Sequence, residues 1–274
     1  MITYTLLFHH FIIFNMSQPK YYLFSSKSCP YAHRCEIAIR LLNLSNVKVL
    51  FCDPLFTFKD GWKIMDSDNP TNFTSLKELY DASGIVSKFV SLPVLYDNEL
   101  EKIVSNDSID LIKFLIADSG NAELNPQNNY DSFYNEFNEK ISVGTYKAGH
   151  AKTQEEYSKY FDLVFEYLDK LNEYLKDKYY VIENKLSFVD IIVYCHLIRF
   201  DLVFYNLFSL NKKHLWEYDN IYKYLHNLSS FEGFKMATDL DEIKRGAYLT
   251  ENNLPQNLGY TKVPLGYCGV QHYF

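Results

Sequence analysis

The sequence predicts an α/β unit followed by an all-helical one. Three features point that way: β-leaning apolar runs around a helix that a proline opens, a polar stretch at 118–129 containing Gly and Pro, and a later run whose apolar residues recur every three or four positions. "KYYLFSS" (20–26) is aromatic and reads as a strand, and Pro30 suits the first position of a helix through "YAHRCEIAIRLLNL". "VKVLFC" (47–52) is the next strand, and its distance from the first implies a parallel, right-handed βαβ unit. A long loop carrying "DGW" leads to a short helix near "SLKELYDAS". "SLPVLYD" and "EKIVS" then read as two strands, and "NDSIDLIKFLIAD" as a helix, so residues 20–117 spell βαβαββα.

Residues 118–129 read as a linker. From 153 to 178, Tyr157, Tyr160, Phe161, Val164, Leu168, Leu171 and Leu175 form one stripe of an amphipathic helix that should face a bundle. Ser187 and Asp190 stand three apart before an apolar run, close to a capping box, and their expected role is structural. The resulting division is an extension at 1–19, the α/β domain at 20–117, the linker, a helical domain at 130–245 and a tail at 246–274. The tail has no sustained period, so it either wraps the body or hangs loose.

Composition excludes several classes. With 47% hydrophobic and 22% charged residues in 274, the chain has ample material for a buried core and is neither disordered nor membrane-spanning in type. A net charge of -7 argues against nucleic acid as a partner, because phosphate binding is built from Lys and Arg. The abundant Tyr and Phe are read first as codon bias and second as aromatic-site function, with most of the rings expected in the core. "MITYTLLFHHFIIFNM" is too short to span a bilayer and lacks the charged start and cleavage site of a secretory signal; Met16 before "SQPK" resembles a natural start. The five cysteines are scattered without metal or disulfide spacing, which fits a reducing, cytoplasmic setting and no bound metal.

One cysteine stands apart. Cys29, in "FSSKSCPYAHR", falls at the junction between the first strand and helix, where unpaired N–H groups and the helix dipole favour thiolate over thiol. Its pKa is expected to fall, helped by Lys27 and Arg34 nearby. The alternative is a small buried hydrophobe, the usual fate of a free cysteine. Ala32 occupies the place of a resolving cysteine, so the site is monothiol and an external thiol must complete any exchange. Cys35 reads as packing and His33 as structural.

"CPYAHR", "DGWKI", "SLPVLYD", "IVSNDS", "TYKAGHAKTQEEY", "RFD" and "IKRGAY", in this order, resemble the glutathionyl-hydroquinone reductases, the Xi class of the glutathione transferases. The resemblance implies a thioredoxin-like first domain, an all-helical second domain, a homodimer, glutathione as co-substrate and a small aromatic quinol conjugate as substrate. It further implies that Cys29 is the nucleophile and that Pro93 follows a cis peptide which turns the Leu92 backbone toward the cysteinyl part of glutathione. Asp107 and Ser108 would take the γ-glutamyl end, against the plain reading of a helix cap, and Trp62 would lie over the tripeptide. Tyr146 and Tyr248 match tyrosines used near the quinol. Phe89 replaces the family's arginine, leaving Lys88 as the candidate partner of the glycyl carboxylate; losing that partner costs about 1–2 kcal/mol. Tyr96 replaces a tryptophan, Asp107 a glutamate and Phe204 a tyrosine beside Tyr205. The competing readings are an omega-like monothiol transferase acting on dehydroascorbate or glutathionylated proteins, and a non-catalytic glutathione-binding protein.

Overall fold

The computed structural model describes residues 18–85, 90–126, 128–250 and 262–274. Its sheet contains β1 (Tyr21–Ser25), β2 (Val47–Phe51), β3 (Val94–Asp97) and β4 (Lys102–Ser105) in the order β2-β1-β3-β4. β1 pairs parallel to β2 and antiparallel to β3, and β3 pairs antiparallel to β4. Every residue of β1 is buried, as befits an inner strand covered on both faces. Alternation sorts its side chains: Tyr21 and Leu23 enter the large core shared with the helices, whereas Tyr22 and Phe24 enter a smaller core under α2 (Leu76–Ala82).

α1 (Pro30–Leu41) crosses between β1 and β2, and α3 (Ser108–Ser119) closes the domain. α1 is buried almost throughout because α3 lies on one side of it and α7 (Phe188–Leu197) with α10 (Glu232–Ala237) on another. The helix that carries the active-site junction is thus clamped between the sheet domain and the helical layer. α3 runs into the expected linker as far as Ser119, and Leu124 within that stretch is buried.

The second layer begins with α4 (Asp131–Phe137), which continues through a π-helical turn at Asn138–Val143 into α5 (Gly144–Gly149). α6 (Gln154–Tyr174) carries the expected stripe: Val164, Leu168 and Leu171 are buried, and Tyr157, Tyr160 and Phe161 pack half-buried against the same core. Asp190 in α7 accepts hydrogen bonds from Val181 N–H, from the N–H and hydroxyl of Ser187, and from the Tyr224 hydroxyl at 2.8–3.0 Å. After α7 the chain forms a second π-helical segment at Phe200–Phe204, the short α8 (Tyr205–Leu207), α9 (Asp219–Ser229) and then α10 and α11 (Leu240–Leu249). α11 continues past residue 245, so the helical layer extends into the expected tail. Residues 262–274 wrap rather than hang: Val270 and Tyr273 are buried, and the Tyr273 carbonyl meets His226 Nδ1 at 3.1 Å. Residues 1–17 of the expected extension at 1–19 lie outside the described residues. No helix among them is long and apolar enough to cross a membrane.

Candidate active site

Cys29 is the N-cap of α1, with extended backbone (φ -79, ψ 116) and Pro30 at the first helical position. Its N–H donates to Ser26 O and its carbonyl accepts from His33 N–H, so the residue is held at the turn by its own backbone. The side chain is half-buried, and Sγ lies 3.7 Å from Leu92 O. The Leu92-Pro93 peptide is cis, as the resemblance implied. Proline before the strand thereby places the Leu92 carbonyl against the sulfur.

The expected fall in the thiol pKa is corrected. Burial pushes Cys29 above its ordinary value, although the N–H groups of Ala32 and Tyr31 and the guanidiniums of Arg199 and Arg34 all pull it down. The sulfur opens on a cavity, but the protein packed around it is dense enough for desolvation to win.

That cavity measures about 720 Å³ and lies between the two layers. Its walls include Cys29, Tyr31, Trp62, Tyr146, Arg199 and Phe204. Trp62 packs at 5.3 Å on Phe56, and Tyr146 packs edge-on against Phe204 and Phe208. The Tyr146 hydroxyl has no hydrogen-bond partner among the described residues, and burial raises its pKa, which keeps it protonated. α11 reaches the wall through Gly246. A Cβ there would come 2.2 Å from Ser28 Cβ and 2.7 Å from Pro54 O. Gly246→Val is therefore expected to push α11 off the loop that carries Cys29, costing about 1–3 kcal/mol of stability in a thermal melt and lowering the reactivity of Cys29.

The remaining expected site residues divide. Tyr248 is not brought to the cavity wall: it is buried behind Gly246 and Ala247, and its hydroxyl donates to Leu202 O at 3.4 Å. Tyr205 does not stand in for the hydroxyl missing at Phe204, because its ring stacks on His214 at 3.7 Å away from the cavity. Asp107 is exposed and caps α3 through the N–H groups of Ile109 and Asp110, while the buried Ser108 hydroxyl accepts from Arg34. The Ser108 hydroxyl is thus committed inward, and its backbone is what α3 presents at this end. Lys88 and Phe89 lie outside the described residues. His33, Cys35 and the Ser187–Asp190 pair are buried and structural. Tyr31 and Arg199 escaped sequence reasoning as wall residues. Tyr31 sits two places after Cys29 in "CPYAHR", which was a usable signal; Arg199 reaches the cavity only by the folding of distant helices.

A thioredoxin-like sheet, a helical second layer, and an N-cap cysteine beside a cis-proline at their junction are the elements of the glutathione transferase fold. Residues 154–227 match the family model described as Glutathione S-transferase, C-terminal domain. The chain is 29% identical to the glutathionyl-hydroquinone reductase YqjG of Escherichia coli, over 84% of this chain and 75% of that one. The glutathione-bound structure of YqjG superposes with a TM-score of 0.82 at 28% identity, covering 91% of this chain and 86% of that one. A Xi-class enzyme from Natrialba magadii gives 0.79 at 27% identity, covering 90% and 80%. An omega-like glutathione S-transferase of Schizosaccharomyces pombe is 28% identical over 95% of this chain and 90% of its own length. Over most of its length the chain is similar to glutathione transferases, and it is an enzyme of the glutathione transferase or reductase kind. Its structural neighbours include Xi-class enzymes, and its relatives in sequence include the glutathionyl-hydroquinone reductases.

Proposed function

We propose that the chain reduces glutathionyl-hydroquinones to hydroquinones with glutathione as co-substrate, through a Cys29–glutathione mixed disulfide. The observation that carries this reading is one cavity lined by both Cys29 and an aromatic wall that includes Tyr146. Relatives named for this reaction, and the glutathione held by one of them, support it.

The thiolate of Cys29 attacks the sulfur of the conjugate. A sulfur–sulfur bond forms and the carbon–sulfur bond breaks, leaving its electron pair on the ring carbon, which takes a proton with Tyr146 as the donor or as the holder of the quinol oxygen. A second glutathione thiolate attacks the glutathione sulfur of the mixed disulfide, releasing glutathione disulfide and restoring Cys29. Ala32 fits, since no internal thiol is required. The Leu92 backbone before Pro93 pairs with the cysteinyl part, the start of α3 at Asp107 and Ser108 takes the γ-glutamyl end, Trp62 covers the tripeptide and Lys88 meets the glycyl carboxylate. Tyr248 supports the wall from behind. A cytoplasmic, homodimeric enzyme completes the proposal.

The test is to assay reduction of glutathionyl-menadiol beside that of dehydroascorbate. Faster turnover of dehydroascorbate would turn the reading to an omega-like transferase, and no turnover of either would turn it to a binding protein. Tyr146→Phe is expected to lower kcat/KM for the quinol conjugate about a hundredfold, with little change for a simple glutathione mixed disulfide. Equal slowing of both would remove Tyr146 from the quinol step.

A further inference from the structure

Two arginines lie buried beneath the cavity, and neither has a carboxylate. Arg34 is 1% exposed and Arg199 2%, and among the described residues neither forms an ion pair. Arg34 donates to the Ser108 hydroxyl at 3.1 Å and to His196 Nδ1 at 3.3 Å, and lies 4.6 Å from the Tyr31 ring. Arg199 donates to Cys195 O at 2.6 Å, to Lys27 O at 3.0 Å and to His33 Nδ1 at 3.1 Å. Among the described residues, the Nε atoms of both guanidiniums and His196 Nε2 have no partner.

The acceptors are what make the arrangement unusual. A guanidinium only donates, so an imidazole that accepts from it offers a bare Nδ1, as His33 does; His196 Nδ1 lies between Arg34 at 3.3 Å and Ile192 O at 3.4 Å. Burial and the adjacent arginines hold both imidazoles well below their ordinary pKa, hence neutral. His33 completes its ring by placing Nε2–H on Thr238 Oγ1 at 3.2 Å. Two uncharged rings thus fix the guanidiniums in place without cancelling their charge. Burying a cation uncompensated is costly, and a structure that retains two of them has a use for an anion there.

We infer that Arg199, backed by Arg34, is the fixed counter-charge for the anionic sulfur of Cys29, a positioning residue that acts through the field at the junction rather than by touching substrate. This inference rests on the reading of Cys29 as the nucleophile. Among the described residues no rival neutraliser is left. Lys27 and Glu36 form a closed pair at 2.5 Å, and Asp53 meets Arg245 at 3.5 Å. Tyr31 and Tyr146 on the cavity side, and Cys35, Cys52 and Cys195 behind, are all raised by burial and stay neutral. Glu156 on the rim takes the Lys152 N–H, and Lys147 and His150 beside it bring no negative charge. Burial lowers Arg199 from its ordinary value, but a guanidinium starts so high that it remains charged. Arg199 also lines the cavity on which Cys29 opens, and its charge pulls on the Cys29 thiol.

The experiment measures alkylation of Cys29 by iodoacetamide across pH, with peptide mapping, in the parent, Arg199→Gln and Arg199→Lys. Arg199→Gln is expected to slow the reaction about tenfold at neutral pH and to raise its midpoint by about one pH unit, and Arg199→Lys to recover most of the loss. Parent-like rates in Arg199→Gln at every pH would overturn the inference. Should the variants not fold, the unaltered protein still decides. Cys29 should favour the anionic reagent iodoacetate over iodoacetamide about tenfold more than free glutathione does, and a ratio at or below that of glutathione would overturn the inference. Treatment with glutathione disulfide separates the two claims. A Cys29 that answers to Arg199 yet takes up no glutathione leaves the counter-charge standing and removes the proposed function; uptake without dependence on Arg199 does the reverse.

Discussion

Cys29→Ser is expected to reduce turnover of glutathionyl-hydroquinones to the uncatalysed background while leaving the fold unchanged. The loss is total because the step itself needs sulfur: the carbon–sulfur bond of the conjugate breaks as a sulfur–sulfur bond forms, and an alkoxide at the same N-cap has no equivalent product. The fold survives because serine is a strong N-cap of nearly the same size, able to take the place of the Cys29 sulfur beside Leu92 O and the first N–H groups of α1. Mass spectrometry after exposure to glutathione disulfide should show one glutathionyl adduct on the parent and none on the variant; turnover without the thiol would sink the mechanism. The pH dependence has a definite sign. Because burial holds the thiol above its ordinary value, the thiolate is the minor form at neutral pH and its fraction grows about tenfold per pH unit. Alkylation of Cys29 should therefore keep climbing through neutral into alkaline pH, with no plateau near neutrality.

That upward shift marks where sequence reasoning stops. The N-cap position of Cys29 was legible because it depends on neighbours: an apolar strand, a proline at the first helical position and a periodic helix behind it. The same locality made the α6 stripe and the monothiol character readable, whereas the cis Leu92-Pro93 bond was legible only through the family resemblance. The direction of the thiol pKa depends on how much protein surrounds the sulfur and on Arg199, which is 170 positions away in the chain and reaches the junction only when α7 packs on α1. Tyr248 shows the converse. Its motif matched, but the close approach of Gly246 to Ser28 and Pro54 turns the wall over to Gly246 and Ala247 and leaves the tyrosine behind them. Motif spacing identifies a helix face only once the packing partner of that face is known.

Asp190→Ala is expected to be the most destabilising single change in the helical domain. Asp190 is fully buried and is the acceptor for four donors: the N–H of Val181, the N–H and hydroxyl of Ser187, and the Tyr224 hydroxyl. Truncation leaves these donors without an acceptor in a site closed to water, at about 1–3 kcal/mol for each that finds no replacement. Both hydroxyls can turn to other partners, whereas the two backbone N–H groups cannot, so the expected loss is about 4 kcal/mol, a large share of the roughly 5–15 kcal/mol that holds a domain together. Urea unfolding of parent and variant measures it, and a loss below about 1 kcal/mol would show the network to be dispensable. Asp190→Asn isolates the charge. Burial raises the Asp190 pKa from 3.8 to about 6 despite the four hydrogen bonds, so between those values the folded chain holds a proton that the unfolded chain has released. Stability carried by this group is therefore complete below about pH 4 and falls as pH rises toward 6, by about 3 kcal/mol, then levels. Burial raises Asp201 as well, which adds a slope of the same sign. In Asp190→Asn the portion due to Asp190 should vanish, so the difference in stability between parent and variant must itself change across pH 4–6. A difference that stays constant over that range would mean the buried carboxyl is ionised throughout, with its donors outweighing the cost of burial.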